Sequence, residues 1–204
     1  MTLVKVCMKR CNIIGITGSI ATGKSQVSNI LRGLGYNVID SDLIAREVAS
    51  RKDILDKIRD NFGEEAVQDN KLNRAYIRDI VFKDDEKLET LNNIMHSEIY
   101  KIMLQRVVEE EINFMDVPLL FETLEEAKEH GIKYDEIWVV YTSPSIQMER
   151  LMARDSIELL EAKRIIDSQI SIEEKRNLAD YVIENNEDLD KLRENVLKAL
   201  ERLK

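Results

Sequence analysis

Residues Gly18–Ser25 read GSIATGKS, and the reading of this octet decides the fold. It fits the pattern G-x-x-x-x-G-K-S/T, which counts only when a strand leads into it and a helix leaves it. Both flanks comply. Asn12–Thr17, NIIGIT, is a short apolar run, and Val27, Ile30, Leu31 and Leu34 recur at the spacing of one helix face. In that setting the glycines permit a tight turn whose successive N–H groups converge on one concavity. The helix N-terminus adds partial positive charge. Gly18, Ser19, Ile20, Ala21, Thr22 and Gly23, continued by Lys24, Ser25 and Gln26, therefore read as a cradle for the phosphates of a nucleoside triphosphate. Lys24 reaches the outer phosphates and the Ser25 hydroxyl holds Mg2+. A glycine turn capped by a serine is the competing reading, and it leaves the matching strand and helix unexplained.

Outward from the octet, four more segments read as strands: YNVID from Tyr36, INFMDV from Ile112, EIWVVY from Glu136 and DYVIE from Asp180. They are continuous apolar runs more than alternating ones, which suits a parallel sheet covered on both faces. Helical patterns lie between them, so the expected class is α/β, a doubly wound parallel five-stranded sheet of the phosphate-loop NTPase type. The stretch from Asp53 to Glu111 has mostly helical spacing with a break near Phe62-Gly63. That is too long for a plain connection and predicts a helical insertion with its own function. Ser143-Pro144 reads as an N-cap with proline at the first helical position. Ser171 with Glu174 fits a capping box, and a charged amphipathic helix starts near Glu187.

The bulk numbers narrow the partners. With 204 residues, the chain is long enough for one well-buried domain. Its 39 acidic against 30 basic residues give a net charge of -9, which argues against nucleic acid. Cys7 and Cys11 are the only cysteines, and they read as reduced cytosolic thiols rather than a disulfide framework or a metal site. No apolar run approaches the ~20 residues of a membrane span, and MTLVKVCMKRC lacks a signal-peptide core. The expectation is a cytoplasmic, monomeric protein with no membrane partner. The first residues are read as a lead-in strand, or as leader to a start at Met8, with residues 1–7 dispensable.

Among phosphate-loop proteins, a small-molecule kinase fits better than a switch GTPase or a motor. Asp60–Gly63 matches D-x-x-G but closes a charged helical stretch, and Asn70–Asn73 lacks the aspartate of N-K-x-D. A kinase needs a carboxylate at the acceptor hydroxyl. The second strand ends in VIDSD, and ligands of open α/β sheets bind at the C-terminal strand ends. Asp42 is thus expected beside the phosphate loop as the proton acceptor; the alternative is that it caps the helix beginning near Leu43. Asp116, ending the third strand before Pro118, is read either as holding Mg2+ through water or as an ordinary strand-end polar residue. Arg150, Arg154 and Arg164 are read either as a lid over the phosphates or as a solvated helix face. His96 reads as packed or surface, and His130 as a helix-end cap.

Taken in order, IIGITGSIATGKS, LGYNVIDSDLIAREV, FGEEAVQDNKLNRAYIRDIVF, LNNIMHSEI, DVPLLFE, QMERLMARD, RIIDSQ and ADYVIEN resemble the dephospho-CoA kinase family from Asn12 to Asn185. The phosphate loop is generic; D-S-D-x-I-A-R combined with P-L-L-F-E is specific. The resemblance implies ATP- and Mg2+-dependent phosphorylation of the ribose 3′-hydroxyl of dephospho-CoA, the last step of coenzyme A synthesis. It implies a nucleotide core (about 12–52, 112–145 and 178–204), a helical CoA-binding part (about 53–111) and a lid (about 146–177). Asp42 would be the base, with Lys24 and Arg150 serving catalysis. Ser25 and Asp116 would hold the metal, and Asn185 would lie near the adenine of ATP. Leu72, Arg74, Arg78, His96 and Leu119 would meet the acceptor. Another phosphate-loop kinase with a nucleoside or nucleotide acceptor, or a non-catalytic nucleotide-binding regulator, remains the alternative. Three departures from the family pattern stand out. Ser19 and Ala21 replace loop glycines, Asn70 replaces the glycine of D-G-x-L-D/N-R, and Ser97 replaces the proline of His-Pro. Asparagine tolerates a left-handed turn, and without proline the helix through His96 is expected to run unbroken.

Overall fold

The five apolar runs form the strands of one five-stranded parallel sheet in the computed structural model, which describes residues 12–203. Residues 1–7 and both cysteines lie outside the described residues. In chain order, β1 (Asn12–Thr17), α1 (Lys24–Gly33) and β2 (Asn37–Asp40) are followed by α2 (Ser41–Val48) and α3 (Lys52–Phe62). A 3-10 turn (Glu64–Ala66), β3 (Val67–Gln68), β4 (Lys71–Leu72), α4 (Arg74–Val81) and α5 (Asp85–Gln105) come next. The remainder is β5 (Ile112–Asp116), α6 (Leu124–Glu129), β6 (Glu136–Tyr141), α7 (Pro144–Asp155), α8 (Leu159–Asp167), α9 (Ile172–Leu178), β7 (Tyr181–Glu184) and α10 (Leu189–Glu201). Among the described residues no helix is long and apolar enough to cross a membrane.

The chain divides into two units. Of the described residues, the first holds 12–39, Val107–Lys128 and 133–203; the second holds Asp40–Arg106 with Glu129–Ile132. In the sheet the order is β2-β5-β1-β6-β7, so β1 is central. Ile14 lies opposite Phe114 of β5, and Gly15 opposite Ile137 of β6. A strand flanked on both sides must pack apolar residues on both faces, and Ile14 and Ile16 are fully buried. Val27 and Leu31 bring α1 onto the core; Leu192, Val196 and Ala199 bring α10. A row of aromatic rings crosses this core. Tyr36 meets Phe114 edge-on at 5.4 Å, Phe114 meets Trp138 at 5.4 Å, and Trp138 meets Tyr181 at 5.7 Å between centroids.

In the second unit, Ile44 and Val48 of α2, Ile54 and Ile58 of α3, and Met103 of α5 are buried. Arg51 ties the start of α3 to α5 by bonding Asp53 at 3.0 Å and Glu98 at 2.8 Å. The hydrogen bond from Arg51 holds the Asp53 carboxyl below the usual range. Burial pushes Glu98 up, but Arg51 and Lys101 outweigh it and the net direction is down.

Two expectations change here. The stretch from Asp53 to Glu111 is not helix with a single break, because the 3-10 turn and the β3–β4 hairpin interrupt it. Asp69 and Asn70 both have positive φ, 50° and 57°, the conformation that a two-residue hairpin turn demands; Asn70 thus occupies the left-handed position expected of it. The second change concerns α2. Its cap is Asp40, which accepts from the Leu43 N–H at 3.1 Å, and Asp42 lies inside the first turn. The helix through His96-Ser97 runs unbroken from Asp85 to Gln105, and the caps at Ser143 and Ser171 form as expected.

Phe114 is fully buried and touches two rings of the row. Phe114→Ala should cost about 3–5 kcal/mol, read as a lowered urea midpoint at unchanged slope; a midpoint equal to wild type would show that the aromatic row does not hold the sheet.

Candidate active site

The loop leaving β1 is built from constraints on individual positions. A Cβ on Gly18 would lie 2.6 Å from Thr22 Oγ1 and 2.8 Å from the Val140 carbonyl oxygen, so only glycine fits. Gly23 has φ 90° and caps α1, which again favours glycine. Ala21 also takes a left-handed φ, 62°, at a cost that a glycine would avoid. Ser19 accepts through its carbonyl from Thr22 Oγ1 at 2.8 Å, closing the turn.

Neighbouring elements hold this loop from outside. The Ile20 peptide is gripped at both ends: its N–H donates to Gln169 Oε1 at 3.0 Å, and its carbonyl accepts from Gln147 Nε2 at 2.8 Å. Ser19 Oγ donates to the Ile170 carbonyl at 3.2 Å. Asn185 Nδ2 donates to the Thr22 carbonyl at 2.8 Å, and the Asn185 carbonyl accepts from Arg150 Nη1 at 2.9 Å. The side-chain amide of Asn185 thus braces the phosphate loop. Arg150 spends its guanidinium on this carbonyl and, at 3.4 Å, on that of Glu187. Arg154 pairs with Asp155 at 2.7 and 2.8 Å; that bond raises the guanidinium's pKa and lowers the carboxyl's. Arg164 is exposed with no partner among the described residues.

At the start of α1, Lys24 Nζ pairs with Asp116 Oδ1, and Ser28 Oγ donates to Asp116 Oδ2 at 2.6 Å. Asp116 is only 3% exposed, and both of its oxygens are engaged. Ser25 and Gln26 are exposed, and the Ser25 hydroxyl makes no hydrogen bond among the described residues. No cluster of three His, Cys, Asp or Glu side chains able to hold a metal occurs among the described residues. Mg2+ keeps most of its water and takes one or two protein oxygens beside substrate phosphates. A free Ser25 hydroxyl fits that donor set; Asp116 reaches it only through water or by releasing Lys24. After β5, Thr17 Oγ1 donates to the Pro118 carbonyl at 3.0 Å, and fully buried Lys175 pairs with Glu122 at 2.8 Å. Leu119 in this turn is 42% exposed.

In the second unit a cavity of about 530 Å3 gathers Asp42, Leu72, Arg74 and Arg78. Its wall continues through Ala45 and Arg46 of α2, Ala49 at the C-cap of that helix, and Ile77 and Val81 of α4, with Leu91 and Met95 from α5. The hairpin sets Leu72, and Asn73 caps α4 by accepting from the Tyr76 N–H at 3.2 Å. Asp42 is exposed and bonds to nothing among the described residues, since Asp40 does the capping. His96 is not part of the wall; it meets Tyr100 edge-on at 6.0 Å, and His130 lies 4.9 Å from the same ring.

Sequence reasoning assigned no role to Ser28, Gln147, Gln169 or Arg46. For Ser28 and Arg46 a signal existed, one helical turn after Lys24 and Asp42 respectively. For the glutamines, contacts 127 and 149 residues apart leave no periodic trace. Replacing Ala21 with glycine should relieve the left-handed strain and raise stability by about 0.5–1 kcal/mol, whereas Ala21→Val should lower it. Thermal unfolding of both variants checks this, and an Ala21→Gly variant less stable than wild type would count against strain at this position.

The family model for dephospho-CoA kinase matches residues 12–191. A dephospho-CoA kinase of Staphylococcus epidermidis is 42% identical over 199 residues, covering 93% of this chain and 94% of the relative. Among solved structures, TT1252 from Thermus thermophilus superposes with a TM-score of 0.81 at 32% identity, covering 96% of this chain and 98% of that one. The dephospho-CoA kinase from Campylobacter jejuni superposes with a TM-score of 0.62 at 29% identity, over 94% and 97%. The match runs through the phosphate loop, the helical insertion and the stretch that braces the loop, and the chain belongs to the dephospho-CoA kinase family.

Proposed function

We propose that this chain transfers the γ-phosphoryl group of ATP to the ribose 3′-hydroxyl of dephospho-CoA, giving coenzyme A and ADP. Family membership supports the reaction. The observation that carries the assignment of the base is the freedom of Asp42. Asp40 takes the helix-capping bond, so a second carboxylate stands without a structural task on the wall of a cavity. Asp42 accepts the proton of the attacking hydroxyl as the new O–P bond forms and the bond to the ADP leaving group breaks. The backbone N–H groups of the loop and Lys24 neutralise charge that grows on the phosphoryl oxygens. Lys24 exchanges Asp116 for phosphate to do so. Ser25, with Asp116 through water, would hold Mg2+, and the ion would supply further positive charge to the phosphate oxygens. Residues 146–177 act as the lid, with Arg150 and Asn185 fixing the loop that the lid covers. The helical insertion receives the acceptor.

Asp42→Asn should fold as wild type and keep ATP affinity, with kcat reduced about 10²–10⁴-fold. Turnover near wild type would remove Asp42 as the base. In an acceptor panel followed by ADP release, dephospho-CoA should outrun AMP, CMP, uridine and shikimate; a nucleoside or nucleotide that outruns it would replace the substrate assignment.

A further inference from the structure

Two helices of the second unit present matched stripes. On α2 and its C-cap the cavity wall takes Asp42, Ala45, Arg46 and Ala49; on α4 it takes Arg74, Ile77, Arg78 and Val81. Both stripes follow i, i+3, i+4, i+7, the spacing of one helix face. In each, a charged side chain alternates with a small or apolar one. Arg46, Arg74 and Arg78 are exposed and make no hydrogen bond or ion pair among the described residues. Elsewhere in the same unit arginines are paired: Arg51 with Glu98, Arg59 with Asp56, and Arg106 with Glu47. In a chain of net charge -9, three unpaired guanidiniums facing a single carboxylate reverse the local sign. An unpaired guanidinium beside a cavity is suited to bind an anion, and its planar fork matches phosphate oxygens two at a time.

We infer that Arg46, supported by Arg74 and Arg78, holds the diphosphate of the acceptor and so sets which hydroxyl reaches Asp42. The inference rests on the reading of Asp42 as the base. Arg46 follows Asp42 by one helical turn, about 6 Å along the axis. That span is comparable to the one between the 3′-oxygen and the 5′-phosphate of a ribonucleotide. α2 therefore acts as a ruler: an acceptor with its diphosphate on Arg46 presents its 3′-oxygen to Asp42. The apolar members of the wall, Ile77, Val81, Leu91 and Met95, are left for the uncharged parts of the acceptor.

Steady-state kinetics of Arg46→Ala and Arg46→Lys on the full chain test this, with dephospho-CoA and ATP varied separately and folding followed by thermal unfolding. Arg46→Ala should raise KM for dephospho-CoA about tenfold to a hundredfold, with KM for ATP at the wild-type value. Arg46→Lys should recover part of the loss. Adenosine shares the 3′-hydroxyl but lacks the diphosphate, so the preference for dephospho-CoA over adenosine should narrow by the same factor in Arg46→Ala. An unchanged KM for dephospho-CoA, or an equal loss with adenosine, overturns the inference. Asp42→Asn assayed alongside separates the two readings. If it is inactive while Arg46→Ala behaves as wild type, only the diphosphate assignment fails. If Asp42→Asn keeps wild-type turnover, the base fails, and the ruler joining positions 42 and 46 fails with it.

Discussion

A carboxylate buried at the end of an interior strand is costly unless it is paired and hydrogen-bonded, and Asp116, ending β5, is in that position. Lys24 and Ser28, one turn apart on α1, satisfy its two oxygens. This joins the C-terminal end of β5 to the first turn of α1 and fixes where the helix starts relative to the sheet. The phosphate loop is the only chain between β1 and that first turn, so its two ends are set before any of its own residues are considered. The glycine requirements at Gly18 and Gly23 come from what packs on the loop: a Cβ on Gly18 would meet Thr22 and the Val140 carbonyl, and one on Gly23 would meet the Asn185 amide. The same pair keeps a lysine pointed at the phosphate region while removing its desolvated charge from isolation.

The second unit solves a similar problem by dividing tasks between neighbouring residues of one type. Asp40 and Asp42 are chemically alike and two residues apart, yet one is committed to the backbone of α2 and the other to nothing. The α4 segment is arranged in the same spirit. The turn at Asp69-Asn70 and the cap at Asn73 carry the local conformational load, and the charged side chains that follow are left to face the cavity.

Much of this was legible in the sequence because it rests on local rules. Each sheet strand is a continuous apolar run, the octet is a rigid pattern, and the left-handed Asn70 follows from side-chain preference. What escaped had no local signature. Strands of two residues have no period, so β3 and β4 vanished into a helical reading of the insertion. Two aspartates near one helix start are equivalent on paper, and only the extended backbone of Asp40, φ -98° and ψ 111°, separates the cap from its neighbour. The grip on Ile20 joins side chains far apart in the chain, which no window of sequence encloses. Asp116 was left between two roles because its partners lie on another element.

Among the described residues, the groups of neighbouring elements that bond the phosphate loop between Ser19 and Thr22 are uncharged: the amides of Gln147, Gln169 and Asn185 and the Ile170 carbonyl. Dissolved ions screen interactions between charges and leave neutral hydrogen bonds nearly untouched. These contacts are therefore insulated from ionic strength, while the loop's attraction for a polyanion is exposed to it. A glutamate in place of Gln169 would still accept from the Ile20 N–H, but its charge would oppose the partial positive charge that the α1 N-terminus offers to phosphate; in place of Gln147 it would have no donor for the Ile20 carbonyl.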